Sequence, residues 1–187
     1  MLETANLTNH FLIAMPSLMD PNFHQTVTFI CAHNDEGAMG LIINRPMDLR
    51  LADILEQLEI EPSLPAVGEV RVFEGGPVQR ERGFVIHQPA GEWDAVLRVS
   101  DEVAVATSRD ILAAMARGEG PPRSLVALGY AGWGAGQLEQ EMADNAWLSG
   151  PADLRILFDL PAEQRWEAAA SLLGVDLHLL STEAGHG

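Results

Sequence analysis

The sequence contains no lysine. Its eleven basic residues are all arginine, set against 27 aspartates and glutamates, for a formal net charge of −16 over 187 residues. Without lysine there is no Schiff-base chemistry, no P-loop lysine and no Ser–Lys pair. The scarcity of cations disfavours a nucleic-acid binder, which must neutralise phosphates, and equally a peripheral binder of anionic membranes. A GC-rich genome accounts for arginine in place of lysine, and adaptation to high salt is the rival explanation. Cys31 is the only cysteine, so no internal disulfide forms, which fits a reducing compartment. No apolar run reaches the roughly 18 residues that a membrane-spanning helix needs. Met1 to His10 lacks the basic and apolar regions of a secretory signal, so a cytoplasmic protein is expected.

What is present is enough apolar residue, 47%, to build a core. The length suits a single domain spanning residues 1–187. Strands are expected at 11–15, at 26–32 and 39–43 as a hairpin, at 70–73, 84–87, 93–99 and 103–107 as a meander, and at 125–128 and 155–158. A first helix is expected after an N-cap at Asp48, because Leu51, Ile54, Leu55 and Leu58 recur at helical spacing. Ser108 caps a second helix with Ile111, Leu112 and Met115 on its stripe. A third runs from Gln137 to Asn145. A fourth follows Pro161, with Trp166, Ala169, Ala170 and Leu173 buried and Gly174 as its stop. The tail from Ser181 is expected to fray. Runs of strands with helices interspersed late give an α+β class with a mixed, largely antiparallel sheet.

Three segments carry candidate chemistry. Gly129 to Gly136, with Tyr130, Gly132, Trp133 and Gly134, reads as a glycine-rich turn opening a helix at Gln137. It fits neither nucleotide fingerprint: Ala135-Gly136 stands where a P-loop needs lysine and a hydroxyl, and Glu139 stands where the dinucleotide pattern needs glycine. A tight packing turn, a surface for a neutral ligand or partner, and an anion site all remain open for it. Ile43-Asn44-Arg45-Pro46 ends a strand, where Asn44 and Arg45 either orient an anion or hold a turn. Phe73-Glu74-Gly75-Gly76-Pro77 is a second junction, with Glu74 as a possible acid or base. The histidines show no metal-ligand spacing, so neither metal nor cofactor is expected. Cys31 sits in an apolar strand and reads as a small hydrophobe. Asp20, Glu74, Asp94 and Glu141 are the carboxylates from which a catalytic pair would come.

Together these segments resemble the bacterial YqgE/AlgH family. The matches are Phe11 to Pro16, Gly40 to Pro46, Gly75-Gly76-Pro77-Val78, Gly129 to Glu139 and Asn145 to Leu148, in the same order along nearly the whole chain. The resemblance implies an α+β fold whose bifurcated sheet curls into a pseudo-barrel with about four helices outside. It implies no established reaction, and AlgH members are labelled as transcriptional regulators of alginate synthesis. No helix-turn-helix or basic helix stands out here. The leading expectation is therefore a non-catalytic cytosolic regulator that binds a protein partner or small ligand. Its surface would be formed by Asn44, Arg45, Glu74, Gly75, Gly76, Tyr130, Gly132, Trp133, Gly134, Gly136 and Gln137. The alternatives are a small-molecule hydrolase or transferase using loop carboxylates, and a direct DNA-binding regulator.

Overall fold

A computed structural model describes residues 6–179. The elements are β1 (His10–Ala14), β2 (Val27–Asn34), β3 (Gly37–Ile42), β4 (Pro46–Arg50), α1 (Leu51–Gln57), α2 (Pro65–Gly68), β5 (Arg71–Glu74), β6 (Val78–Gln88), β7 (Val96–Arg98), β8 (Ala104–Ala106), α3 (Arg109–Ala116), β9 (Arg123–Gly134), α4 (Gln137–Ala143), β10 (Trp147–Pro151) and α5 (Arg165–Leu172). The strands join one mainly antiparallel sheet that curls into a half-barrel, in the order β10-β1-β2-β3-β9-β6-β8-β7.

The sheet divides at β9. Its first half pairs with β6 on one flank and, through Val126 to Leu128, in parallel with β5 on the other. Its second half, Ala131 to Gly134, pairs with β3 instead. The chain crosses this fork at Gly75, whose N–H donates to the Leu128 carbonyl and whose carbonyl accepts from Ile42 N–H, both at 2.8 Å.

Strand alternation sorts the core into faces. Phe84 and Ile86 of β6, Val105 of β8, and Leu125 and Ala127 of β9 face the inner core with Phe11, Phe29 and Leu41. Val85, Ala106 and Val126 face the other way, under Leu51 and Leu55 of α1 and Ile111, Leu112 and Met115 of α3. A third cluster gathers Leu12, Ile30, Ala131, Trp133, Leu138 and Trp147.

The expected hairpin and helices form, with several corrections. The expected meander does not form: β5 pairs with β4 and, in parallel, with β9 rather than with β6, and β6 pairs with β8 and β9 rather than with β7, so of its consecutive strands only β7 and β8 are adjacent. Leu173, expected on the buried stripe of the last helix, is the C-cap of α5 and is exposed. Residues 155–158 are not a strand but part of a π-helical turn, Arg155–Asp159. Ile156 and Leu157 are adjacent and both buried, and so short an apolar run does not distinguish strand from helix. Residues 129–134 continue β9 rather than turning; the buried–exposed alternation of Ala131, Gly132, Trp133 and Gly134 is a strand period hidden by glycine. Only Ala135 and Gly136 turn. Asp48 lies inside β4, and Arg50 holds the N-cap position of α1. The side chain of Asp53 accepts the Arg50 N–H at 2.8 Å. Ser108 stands at the N-cap position of α3 without capping it, because its hydroxyl donates to Asp110 and accepts from Ala95 N–H. β6 begins at Val78, six residues before its expected start, and β4 and β10 had no expected counterpart. The tail from Ser181 lies outside the described residues.

Cys31 is wholly buried and its thiol faces the Phe29 carbonyl at 3.6 Å. Burial pushes that thiol far above its ordinary range, which removes the thiolate a nucleophile needs.

Candidate functional site

The strand end at Ile43 to Arg45 is a clasp. Asn44 Oδ1 accepts Val27 N–H at 2.8 Å, and its Nδ2 donates to the Gln25 carbonyl at 2.9 Å. Arg45 donates to the carbonyls of Asn22 and His24, at 2.6 and 3.0 Å. The Ile43 carbonyl accepts from Arg165 Nη1, while Arg165 Nε donates to the Leu160 carbonyl at 3.0 Å. Burial lowers the Arg165 guanidinium to about 10, despite the nearby Glu163 carboxylate. Both side chains of this motif are therefore spent on the backbone of the 22–27 segment rather than on a ligand. Arg45→Ala is expected to cost about 2 kcal/mol by removing two charge-assisted hydrogen bonds. Urea denaturation together with faster amide exchange confined to residues 22–26 is the check.

Glycines at the second junction permit close backbone approach. A Cβ on Gly75 would stand 2.3 Å from the Gly129 carbonyl oxygen, and one on Gly76 would stand 2.1 Å from the Tyr130 carbonyl carbon. Glu74 is half-exposed, with its carboxylate 4.0 Å from the exposed Arg80 guanidinium, a weak pairing.

The glycine–tryptophan segment leads into an aromatic cluster. Trp133 stacks on Phe23 at 5.9 Å, and Trp147 meets both rings edge-on. Both indole N–H groups donate to Glu141 Oε1, at 3.1 and 3.0 Å, and Gln137 Nε2 donates to Glu141 Oε2 at 2.9 Å. Gln137 Oε1 accepts Gly134 N–H at 3.0 Å, which fills the place an anion would take. Behind this cluster, His33 Nδ1 accepts Leu7 N–H at 3.0 Å, so the other ring nitrogen carries the proton and donates to Glu139 at 3.3 Å. That histidine resembles half of a catalytic dyad, but the backbone amide occupies the nitrogen that a base would use.

Across the inner face of the sheet lies an open concavity of about 990 Å³. Its floor and walls include Met39 of β3, Tyr130, Gly132 and Trp133 of β9, Val78, Arg82 and Phe84 of β6, Val105 of β8 and Val96 and Leu97 of β7. Phe84 packs edge-on against Tyr130 at 5.8 Å, and the Arg82 guanidinium stands 5.4 Å above the Phe84 ring. Of the residues expected to share one surface, Tyr130, Gly132 and Trp133 meet here. Asn44, Arg45, Glu74, Gly75, Gly76, Gly134, Gly136 and Gln137 do not line it. Of the four candidate carboxylates only Asp94 does, joined by Glu36. Asp94 N–H donates to Asp110 Oδ2 at 2.9 Å, which ties this wall to α3. Among the described residues no three His, Cys, Asp or Glu are grouped to hold a metal ion, and no helix is long and apolar enough to cross a membrane.

Sequence reasoning missed Arg82, Phe84, Val96 and Leu97. They stand in β6 and β7 without a motif. The available signal was adjacent apolar residues on a short strand, which alternation alone does not bury on both faces.

The profile of a family described as AlgH-like matches residues 11–178. A UPF0301 protein of Thioalkalivibrio sulfidiphilus is 63% identical over 186 residues, covering 100% of both chains. Another, of Nitrosococcus oceani, is 61% identical over 178 residues and covers 95% of each. The solution structure of the AlgH protein from Pseudomonas aeruginosa superposes with a TM-score of 0.81 at 53% identity, covering 97% of each chain. A crystal structure of a Corynebacterium diphtheriae protein shares the fold at 18% identity, with a TM-score of 0.73 over 97% of this chain and 94% of that one.

Proposed function

The chain belongs to the AlgH-like family, whose function is uncharacterised, and from that premise we propose that it is a non-catalytic cytosolic regulatory protein that binds a partner protein through its concave face. The observation that carries this reading is exposed apolar surface gathered around one concavity. Val78, Val96 and Leu97 keep 36%, 42% and 43% of their surface accessible, and all three line the one concavity. Apolar surface gathered in this way, edged by Arg82, Asp94 and Glu36, has the makeup of a binding face with a polar rim.

Two features favour binding over chemistry. Glu141 spends both carboxylate oxygens on Trp133, Trp147 and Gln137, and Glu74 stands outside the concavity. The net charge of −16 favours a protein partner over DNA. A photo-crosslinking residue placed at Leu97 or Val78 in cells is expected to trap one defined partner, whereas the same residue at exposed Leu172 traps none. Equal labelling at all three positions, or no adduct at 78 and 97, would sink the reading.

A further inference from the structure

Granting that the concave face binds a partner, we propose that the partner presents an extended segment of alternating apolar and acidic residues, which adds as a strand to the outer edge of β7. The sheet path ends on β7, which among the described residues pairs only with β8. Its register identifies the groups left over. Thr107 N–H donates to the Ala95 carbonyl at 3.0 Å and Val99 N–H to the Val103 carbonyl at 2.9 Å. In this antiparallel register hydrogen-bonded and non-bonded pairs alternate. The pairs 95/107 and 99/103 each hold one backbone bond, their second donors going to Ser108 Oγ and Ser100 Oγ, and 97/105 is the bonded pair between them. Val96 and Arg98, opposite Ala106 and Ala104, therefore point their N–H and C=O groups away from β8. All three residues of β7 are exposed. An unpaired edge bearing exposed Val and Leu is a template for strand addition.

The two faces of β7 set the pattern of the segment. Leu97 shares the inner face with Val105 and Ile86, so side chains added beside it extend the apolar floor outward from Phe84 and Val105. Arg98 shares the opposite face with Ala104 and His87. Arg98 and Arg82 have no ion pair among the described residues, in a chain with 27 acids to offer. Carboxylates beside Arg98 complete the complementarity. Glu36 and Asp94 line the same concavity, so alternation with lysine is the competing pattern.

The probe is an acetylated, amidated peptide, Thr-Val-Glu-Val-Glu-Val-Thr, titrated into the full chain and followed by NMR and amide hydrogen exchange. The expected result is saturable binding with exchange at Val96 and Arg98 slowed by roughly tenfold or more. Val96→Pro removes a donor that faces outward rather than toward β8, where an edge strand tolerates proline, and is expected to abolish binding. Arg98→Glu is expected to lower affinity roughly tenfold and to shift preference to the peptide with lysine in place of glutamate. Four results would overturn the proposal: no binding, a preference of the wild type for the lysine peptide, equal binding of a peptide N-methylated on its pairing edge, or concentration-dependent protection of β7 by a second copy without peptide. None of these touches the crosslinking result at Leu97 and Val78, so the concave-face reading stands or falls separately.

Discussion

Replacing Gly76 with alanine is expected to lower the melting temperature by roughly 10 °C, from a loss of about 3 kcal/mol or more. The added Cβ would lie 2.1 Å from the carbonyl carbon of Tyr130, 2.2 Å from its oxygen and 2.4 Å from the nitrogen of Ala131. All three are backbone atoms of β9, so no rotamer change relieves the overlap. Relief requires the 75–77 segment to move away from β9, and that segment bridges the fork. The hydrogen bonds of Gly75 with Leu128 and Ile42 would stretch with it. Gly132→Ala is the control within the same motif set. Its Cβ would meet nothing nearer than the Tyr130 ring at 3.5 Å, ordinary contact, so its change is expected to stay within about 1 kcal/mol. Thermal melts of the two variants side by side check both, and equal loss would refute the fork as the cause.

This contrast between two glycines explains how far the sequence could be read. Periodicity located α1 and α3 because Leu51, Leu55, Ile111 and Met115 all bury a single stripe. It located the β2–β3 hairpin because β-branched residues on both arms surround a turn. It failed at β9, where glycine at 129, 132 and 134 looks like a turn; Gly129 serves close packing against the Gly76 carbonyl, while Gly132 and Gly134 have only ordinary contacts and simply continue the strand. A sequence shows that a glycine is small, and only the neighbouring backbone shows what the smallness is for.

The candidate site was legible to a lesser extent. Tyr130, Gly132 and Trp133 do line the concavity. Asn44 and Arg45 are chemically suited to anions, and the same chemistry suits them to backbone carbonyls and amides, which is where they bind. Residue type alone does not separate those uses. The apolar half of the concavity lies in β6, β7 and β8, where the informative property is the exposure of Val78, Val96 and Leu97, and exposure depends on the tertiary packing rather than on residue type.

Glu141→Ala is expected to be the most damaging change outside the fork, at about 3 kcal/mol, because it strands two buried indole donors at once. Trp133 and Trp147 are both nearly inaccessible, so water cannot freely replace the carboxylate that both share. The penalty comes from the unsatisfied N–H groups rather than from the lost charge. Glu141→Gln separates the two causes, since its amide oxygen still accepts from the indoles while its charge, and the bond from Gln137 Nε2, are gone. It is expected to keep all but about 1 kcal/mol. Urea denaturation followed by tryptophan fluorescence reads both variants, with the Ala variant also shifting native emission as the two indoles lose their shared acceptor. Equal destabilisation by Gln and Ala would instead assign the role to the charge. Since the Trp133 indole N–H is held by this acceptor, losing it loosens the wall of the concavity at Trp133 and Gly132. The Ala variant is therefore expected to weaken crosslinking at Leu97 where the Gln variant does not, which ties the one polar network around the tryptophans to the proposed binding face.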